Sequence, residues 1–192
     1  MKISELFSVK GKVAIVTGGS RGIGEMITAG FLANGAKVYI SARKELPLIQ
    51  KAQELSERYD GECIAIPCDL SSMEGIELFA QQIAEREDGI DFLINNAGAA
   101  WGETFEDFSE AGWDKVMDLN VKSIFFLTQK LKSLLTRNAS TEDPSRVINI
   151  GSIDGLNVPA FETYSYSTSK AAVHHLTRVL ATKLVKENIL VN

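Results

Sequence analysis

No run of about 18 apolar residues occurs in this chain, which excludes a membrane-spanning helix. Cysteine is scarce. Only Cys63 and Cys68 are present, too close together and in too strand-like a stretch to frame a disulfide scaffold, so a reducing compartment is expected. Those two thiols and the adjacent His174 and His175 offer too few ligands for zinc, and no metal is expected. Proline is scarce as well: four in 192 residues, with 45% hydrophobic residues, excludes a disordered chain. Excess positive charge is missing, since 20 Lys and Arg stand against 25 Asp and Glu. Nucleic acid is therefore not an expected partner, because neutralising phosphates needs clustered cations. The start, Met1 to Lys12, lacks the apolar core of a signal peptide. Cytoplasm is the default location, with an organellar or peroxisomal one left open.

What is present is a regular alternation of apolar runs and helical patterns. Strands are expected at Lys12–Thr17, Lys37–Ala42, Glu62–Pro67, Asp91–Asn95, Arg146–Ile150 and from Ile189 to Val191. Between them, Ile23/Met26/Ile27/Phe31, Leu48/Ala52/Leu55/Tyr59 and Ile76/Phe79/Ala80/Ile83 recur at helical spacing. Asn34-Gly35, Asp60-Gly61 and Asp88-Gly89 are expected to stop those helices, glycine supplying the left-handed cap residue. A longer pattern runs from Trp113 through Val121 to Leu131, and a last helix spans roughly Thr163–Lys186. Such alternation predicts an α/β fold: a doubly wound parallel sheet with helices on both faces. The length suits one domain, residues 1–192. Asn192 falls in mid-strand, so the fold is expected to be truncated at its sixth strand, with further elements missing.

Ligands of such sheets bind beyond the carboxyl ends of the strands, where chemistry-bearing residues should gather. After the first strand stands Thr17-Gly18-Gly19-Ser20-Arg21-Gly22-Ile23-Gly24. Its glycines let the backbone turn sharply and approach a pyrophosphate seated on the amino end of the next helix. A glycine turn serving only strand-to-helix packing is the plainer alternative. The second strand ends Ser41-Ala42-Arg43-Lys44, where an NAD site would place Asp or Glu for the ribose hydroxyls. No carboxylate is there to repel a 2′-phosphate, and Arg43 with Arg21 can pair with one, which favours NADP over NAD.

Tyr166-Ser167-Thr168-Ser169-Lys170 puts a phenol and an ammonium one helical turn apart. A cation about 5 Å away, at an effective dielectric of roughly 20, favours phenolate by about 3 kcal/mol, or about 2 pK units. Such a pair can act as a general acid or base. Tyr164 competes for the role but lies six residues from Lys170, on another helix face. Asn120 stands amid Met117, Leu119, Val121 and Ile124, where an asparagine costs helix propensity and burial unless it serves something.

Taken in order, TGGSRGIG (17–24), CDL (68–70), NNAG (95–98), Asn120 in DLNVKS, INIGS (148–152) and YSTSK (166–170) resemble the short-chain dehydrogenase/reductase family along the whole chain. The likeness is strongest to the β-ketoacyl (3-oxoacyl) reductases of the rhamnolipid-synthesis type, through NNAGAAWG and RVINIGS. The resemblance implies a Rossmann-like fold, NADP(H), and interconversion of a carbonyl and a secondary alcohol, with a small-molecule or carrier-bound 3-oxoacyl thioester as substrate. It implies Tyr166 as proton donor in reduction, Lys170 lowering its pKa and holding the nicotinamide ribose, and Ser152 hydrogen-bonding the substrate carbonyl. Asn120 would help relay protons. Gly18, Ser20, Arg21, Gly22, Ile23 and Gly24 would cradle the diphosphate, Asp69 and Leu70 would border adenine, and Asn96, Ala97 and Gly98 would line the cofactor. Fourteen residues separate Ser152 from Tyr166, so the loop between them is expected to bulge. A homodimer or homotetramer is also implied. Lys130, Lys132 and Arg137 are candidates for a basic surface that receives an acyl carrier. Asp69 has a second reading as the cap of the helix after it, Trp101 is read as a wall of the substrate pocket or as plain packing, and His174 and His175 are read as surface or subunit-contact residues. Two alternatives stay open: a non-catalytic NADP-binding or regulatory protein, and a reductase or dehydrogenase of sugars, steroids or small ketones.

Overall fold

The six apolar runs become six strands because each is short, β-branched and bounded by turn residues. They are Val13–Thr17 (β1), Lys37–Ala42 (β2), Cys63–Pro67 (β3), Phe92–Asn95 (β4), Ser145–Asn149 (β5) and Ile189–Val191 (β6). The computed structural model describes residues 7–192, so the reading of the opening segment as leaderless lies, for residues 1–6, outside the described residues. All strands pair in parallel, in the order β3-β2-β1-β4-β5-β6. This is the doubly wound Rossmann-like sheet expected from the alternation.

Among the described residues six α-helices cover it: Gly22–Ala33 (α1), Glu45–Tyr59 (α2), Met73–Ala84 (α3), Glu110–Met117 (α4), Ser123–Arg137 (α5) and Tyr164–Leu184 (α6). Strand side chains alternate between two cores, as the period of two demands. Ala14, Val16, Val38 and Ile40 pack with Leu32, Leu48 and Leu55 of α1 and α2. Ile15, Tyr39 and Leu93 pack with Phe79 of α3, Leu131 of α5 and Leu180 of α6. Each fully buried Leu, Ile or Phe among them contributes about 1.5–3 kcal/mol. Among the described residues no helix is long and apolar enough to cross a membrane.

Two local expectations are corrected. The first concerns the helix stops. Gly35 does take a left-handed conformation (φ +79°), but after α2 it is Asp60 (φ 48°), not Gly61, that does so. Asp tolerates that region because its short polar side chain bonds locally. After α3, neither Asp88 nor Gly89 has positive φ. Gly89 is small for another reason: a Cβ there would lie 2.6 Å from Asn138 Nδ2. The second concerns the long helical pattern, which is not one regular helix. Between α4 and α5 the chain makes a π-helical turn over Asp118–Lys122, with the Ser123 amide donating to Asp118 O. Asn120 sits inside that turn.

β1 lies between β2 and β4, so the strand order reverses there and the loops leaving β1 and β4 open a crevice. Thr17, the last residue of β1, ties the two loops together. Its hydroxyl donates to Ile94 O (3.3 Å) and accepts from the amides of Asn96 (3.0 Å) and Ala97 (2.9 Å).

Candidate active site

Gly18 (φ +65°) and Gly22 (φ +56°) adopt conformations that L side chains rarely take, and the chain turns at both into α1. Gly24 has a different constraint: an added Cβ would overlap Gly18 O and lie 2.5 Å from Asn96 Nδ2. The loop, the helix start and Asn96 are thus in contact. Asn96 itself donates to Thr17 O (2.9 Å) and Gly18 O (3.3 Å), which fixes the shape of the glycine loop. No side chain caps α1 at Arg21, so its first-turn amides lack partners within the helix. Ser20 is half-buried, while Arg21 and Ile23 are exposed beside that open end. An anion seated there would take up the free amides and gain from the helix dipole.

The ends of β2 and β3 border the same side. Arg43 is exposed and, among the described residues, forms no ion pair. Asp69 is also exposed. Burial pushes its carboxyl up, but hydrogen bonds from the Ser71 hydroxyl (2.7 Å) and amide (3.0 Å), with the nearby Arg43 charge, outweigh it and hold the pKa below the ordinary value. The cap of α3 is Ser72, whose hydroxyl accepts from the Gly75 amide (3.1 Å), so Asp69 is not that helix's cap. Leu70 turns inward to the core with Phe79 and Ile83, leaving Asp69 as the surface member of the pair. Burial raises the Cys63 and Cys68 thiols to about 12, which leaves both poor nucleophiles.

Tyr166 and Lys170 lie on the first turns of α6. Lys170 Nζ stands 5.7 Å from the centroid of the Tyr166 ring, close to the spacing expected from the sequence. The ammonium is only 6% exposed, and burial pushes its pKa below the ordinary lysine value. It donates to Ile150 O at 2.6 Å, its one protein partner among the described residues. Two of its three N–H donors therefore remain for a bound ligand. Ser152 follows β5 in extended conformation, and its hydroxyl accepts from the Asp154 amide (3.2 Å), opening a short 3₁₀ turn over Ile153–Gly155. The hydroxyl proton stays free to donate. The segment after that turn, with exposed Leu156, Val158 and Phe161, carries the extra length between Ser152 and Tyr166.

Asn120 is 1% exposed and its side-chain amide is fully committed. Oδ1 accepts from the Ala99 amide (2.8 Å), while Nδ2 donates to Ala99 O (2.9 Å) and Ser169 Oγ (2.9 Å). It clamps the loop after β4, next to Gly98 and Ala97, onto α6 one residue before Lys170. That loop is where Asn96, Ala97 and Gly98 lie; Asn96 bonds the glycine loop, while Ala97 packs against the core. Tyr164 points elsewhere: its hydroxyl donates to Glu162 (3.1 Å) and its ring meets Phe105 and Phe108 edge-on. Trp101 wedges against Gly112 of α4, with Lys115 Nζ 4.2 Å above its ring. Lys130 and Lys132 pair with Glu77 (2.6 Å) and Glu187 (2.8 Å), so the proposed basic landing surface is largely neutralised.

Sequence reasoning missed three residues that shape this site. Thr17 and Ser169 were inside quoted motifs, and their hydroxyls tie loop to loop and Asn120 to α6; being polar yet buried at strand and helix positions was the available signal. His174 is half-buried rather than fully exposed. Its Nε2 accepts from the Ser152 amide (3.4 Å) and its Nδ1 is buried. His175 is exposed.

The crevice combines an uncapped helix end, two unpaired arginines and a buried ammonium with spare donors, a set that fits the phosphates and ribose of a dinucleotide. A family model described as short chain dehydrogenase matches residues 12–192. The chain is 50% identical over 97% of its length, and 72% of the relative's, to the rhamnolipids biosynthesis 3-oxoacyl-[acyl-carrier-protein] reductase of Pseudomonas aeruginosa. The solved RhlG/NADP active-site complex of Pseudomonas aeruginosa superposes with a TM-score of 0.93, covering 97% of this chain and 72% of that one at 50% identity. A 2-dehydro-3-deoxy-D-gluconate 5-dehydrogenase of Escherichia coli is 33% identical over 99% of this chain and 72% of its own length.

Proposed function

Since the chain belongs to the short-chain dehydrogenase family, we propose that it is an NADP(H)-dependent oxidoreductase that reduces the keto group of a 3-oxoacyl thioester to a secondary alcohol. The observation that carries this reading is the stripe of Tyr166 and Lys170 on α6, with Lys170 Nζ bonded to Ile150 O, just past the carboxyl end of β5 and two residues before Ser152. The matched relative's 3-oxoacyl-carrier substrate and the neighbour's bound NADP support the substrate class and cofactor.

The roles follow from the groups. Gly18, Ser20, Arg21, Gly22, Ile23 and Gly24 hold the diphosphate, with Arg43 and Arg21 directed to the 2′-phosphate. Asp69 and the backbone at Leu70 border the adenine, while Asn96, Ala97 and Gly98 support the nicotinamide half. Bound NADPH supplies two electrons and a hydrogen to the carbonyl carbon. Ser152 donates its free hydroxyl proton as a hydrogen bond to the carbonyl oxygen, which polarises it. Tyr166 gives its phenolic proton to that oxygen as negative charge develops, leaving an alcohol, and recovers a proton from solvent. Lys170 stabilises the phenolate by its charge and holds the cofactor ribose with its spare N–H groups. Asn120 fixes the Ala99 loop and Ser169 so that these groups keep register, and its place in a π-helical turn beside them suits a proton path.

A groove of about 400 Å³ lined by Met117, Val121, Phe125, Phe126 and Leu176 lies on the outer side of the π turn, α5 and α6, and supports a homodimer or homotetramer.

The direct test is NADPH oxidation, followed by absorbance, with a 3-oxoacyl thioester. Substrate-dependent oxidation is expected, and none at any thioester concentration would sink the reading. Cofactor choice has its own test. Arg43→Glu should weaken NADPH binding about 10–100-fold, the range for loss of a charge-assisted bond, while NADH binding is spared. Equal losses for both cofactors would show that Arg43 does not meet the 2′-phosphate.

A further inference from the structure

We infer that His174 is a positioning residue for the reduction, holding Ser152 in place through its backbone amide; the inference rests on the reductase reading. Residues 166, 170 and 174 are spaced i, i+4, i+8, so Tyr166, Lys170 and His174 share one face of α6. That face pins the end of β5 at successive points. Asn149 Nδ2 donates to Thr177 Oγ1 (2.9 Å), Lys170 Nζ donates to Ile150 O (2.6 Å), and the Ser152 amide donates to His174 Nε2 (3.4 Å). The His174 contact is the one that reaches Ser152 itself.

Two glycines make room for the ring. A Cβ on Gly151 would lie 2.5 Å from His174 Nε2 and 2.9 Å from Cδ2. One on Gly155 would lie 2.9 Å from His174 Cε1, 2.6 Å from the Lys170 carbonyl carbon and 2.8 Å from the Ala171 nitrogen. The imidazole thus fills the space on both sides of the 151–155 turn, and the turn rests on it. Any side chain at 151 or 155 would force the turn off α6. In this contact the imidazole serves through Nε2 as acceptor. Its Nδ1 is buried without a protein partner, so the ring is kept for its acceptor and its shape rather than for a full set of bonds. The Ser152 hydroxyl is aimed by this arrangement, and a displacement of about 1 Å in such a group can cost up to about 100-fold in rate.

His174→Leu keeps the bulk and removes the acceptor; His174→Gln keeps an acceptor at about the reach of Nε2. Leu should lower kcat about tenfold with the KM for NADPH unchanged, and Gln should restore most of it. Amide hydrogen exchange at Ser152 should quicken in Leu and stay slow in Gln, a readout that does not depend on turnover. Wild-type kcat and Ser152 exchange in His174→Leu would overturn the inference. So would losses of kcat, NADPH affinity and thermal midpoint together in both Leu and Gln, which would mark a general packing role. A wild-type chain that fails to oxidise NADPH sinks the reductase reading instead, while slow Ser152 exchange lost in Leu would still establish the contact.

Discussion

Tyr166→Phe is expected to lower kcat for 3-oxoacyl reduction by about 10²–10⁴-fold, the usual share of a positioned general acid. The substitution removes one oxygen and leaves a ring of the same shape. Tyr166 Oη has no hydrogen-bond partner in the protein among the described residues, so no internal bond is broken and folding should be unaffected. Lys170 keeps its bond to Ile150 O, because that contact does not involve the phenol. NADPH should therefore bind as in the wild type. A separation between unimpaired binding, by fluorescence titration, and lost turnover is the expected signature. Retained turnover would remove Tyr166 from the chemistry, and the proposed function with it.

Lys170→Met should have nearly as large an effect on rate and an opposite one on the electrostatics of folding. Losing the cation withdraws about 2 pK units of phenolate stabilisation, which predicts about a hundredfold fall in kcat. Loss of its spare N–H donors should weaken NADPH binding as well. For stability, the sign follows from desolvation. Burial lowers the Lys170 pKa in the folded state below 10.5, so just below that pH the unfolded chain binds more protons than the folded one. The burden of the buried charge is therefore fully present below the lowered pKa. It fades as pH rises through that pKa, and it is gone above 10.5. Stability of the wild type relative to Lys170→Met should rise as pH climbs through the lowered pKa toward 10.5 in denaturant titrations. Comparing the two proteins cancels Lys12, Lys37 and Lys51, whose ion pairs raise their pKa values in both. A flat difference across that range would show that the ammonium is not desolvated in the folded protein. Such a residue illustrates stability given up for catalysis.

The strands and most helices were legible because the signal is local: β-branched apolar runs, helical spacing and polar caps a few residues apart. The pairing of Tyr166 with Lys170 was legible for the same reason, since four residues of helix fix it. The glycine loop was legible as a sharp turn into a helix, and the structure adds that Gly24 is constrained by Gly18 and Asn96. Leu70 was read beside Asp69 as a cofactor neighbour, yet its side chain enters the core because the chain after β3 turns it inward. The basic surface at Lys130 and Lys132 read as open charge, whereas carboxylates on α3 and after α6 neutralise both.

By itself the sequence determined the parallel α/β sheet and the family to which the chain belongs, and it supplied the side chains proposed to carry the chemistry, because periodicity and motif spacing act over a few residues. Tertiary structure alone decided how those side chains are held. Asn96 reaches Thr17 across 79 positions, Asn120 reaches Ser169 across 49, and Ser152 meets His174 across 22. Such contacts form only when strands assemble in the order 3-2-1-4-5-6 and bring distant loops to one edge. Buried polar groups must then find partners wherever the packing puts them.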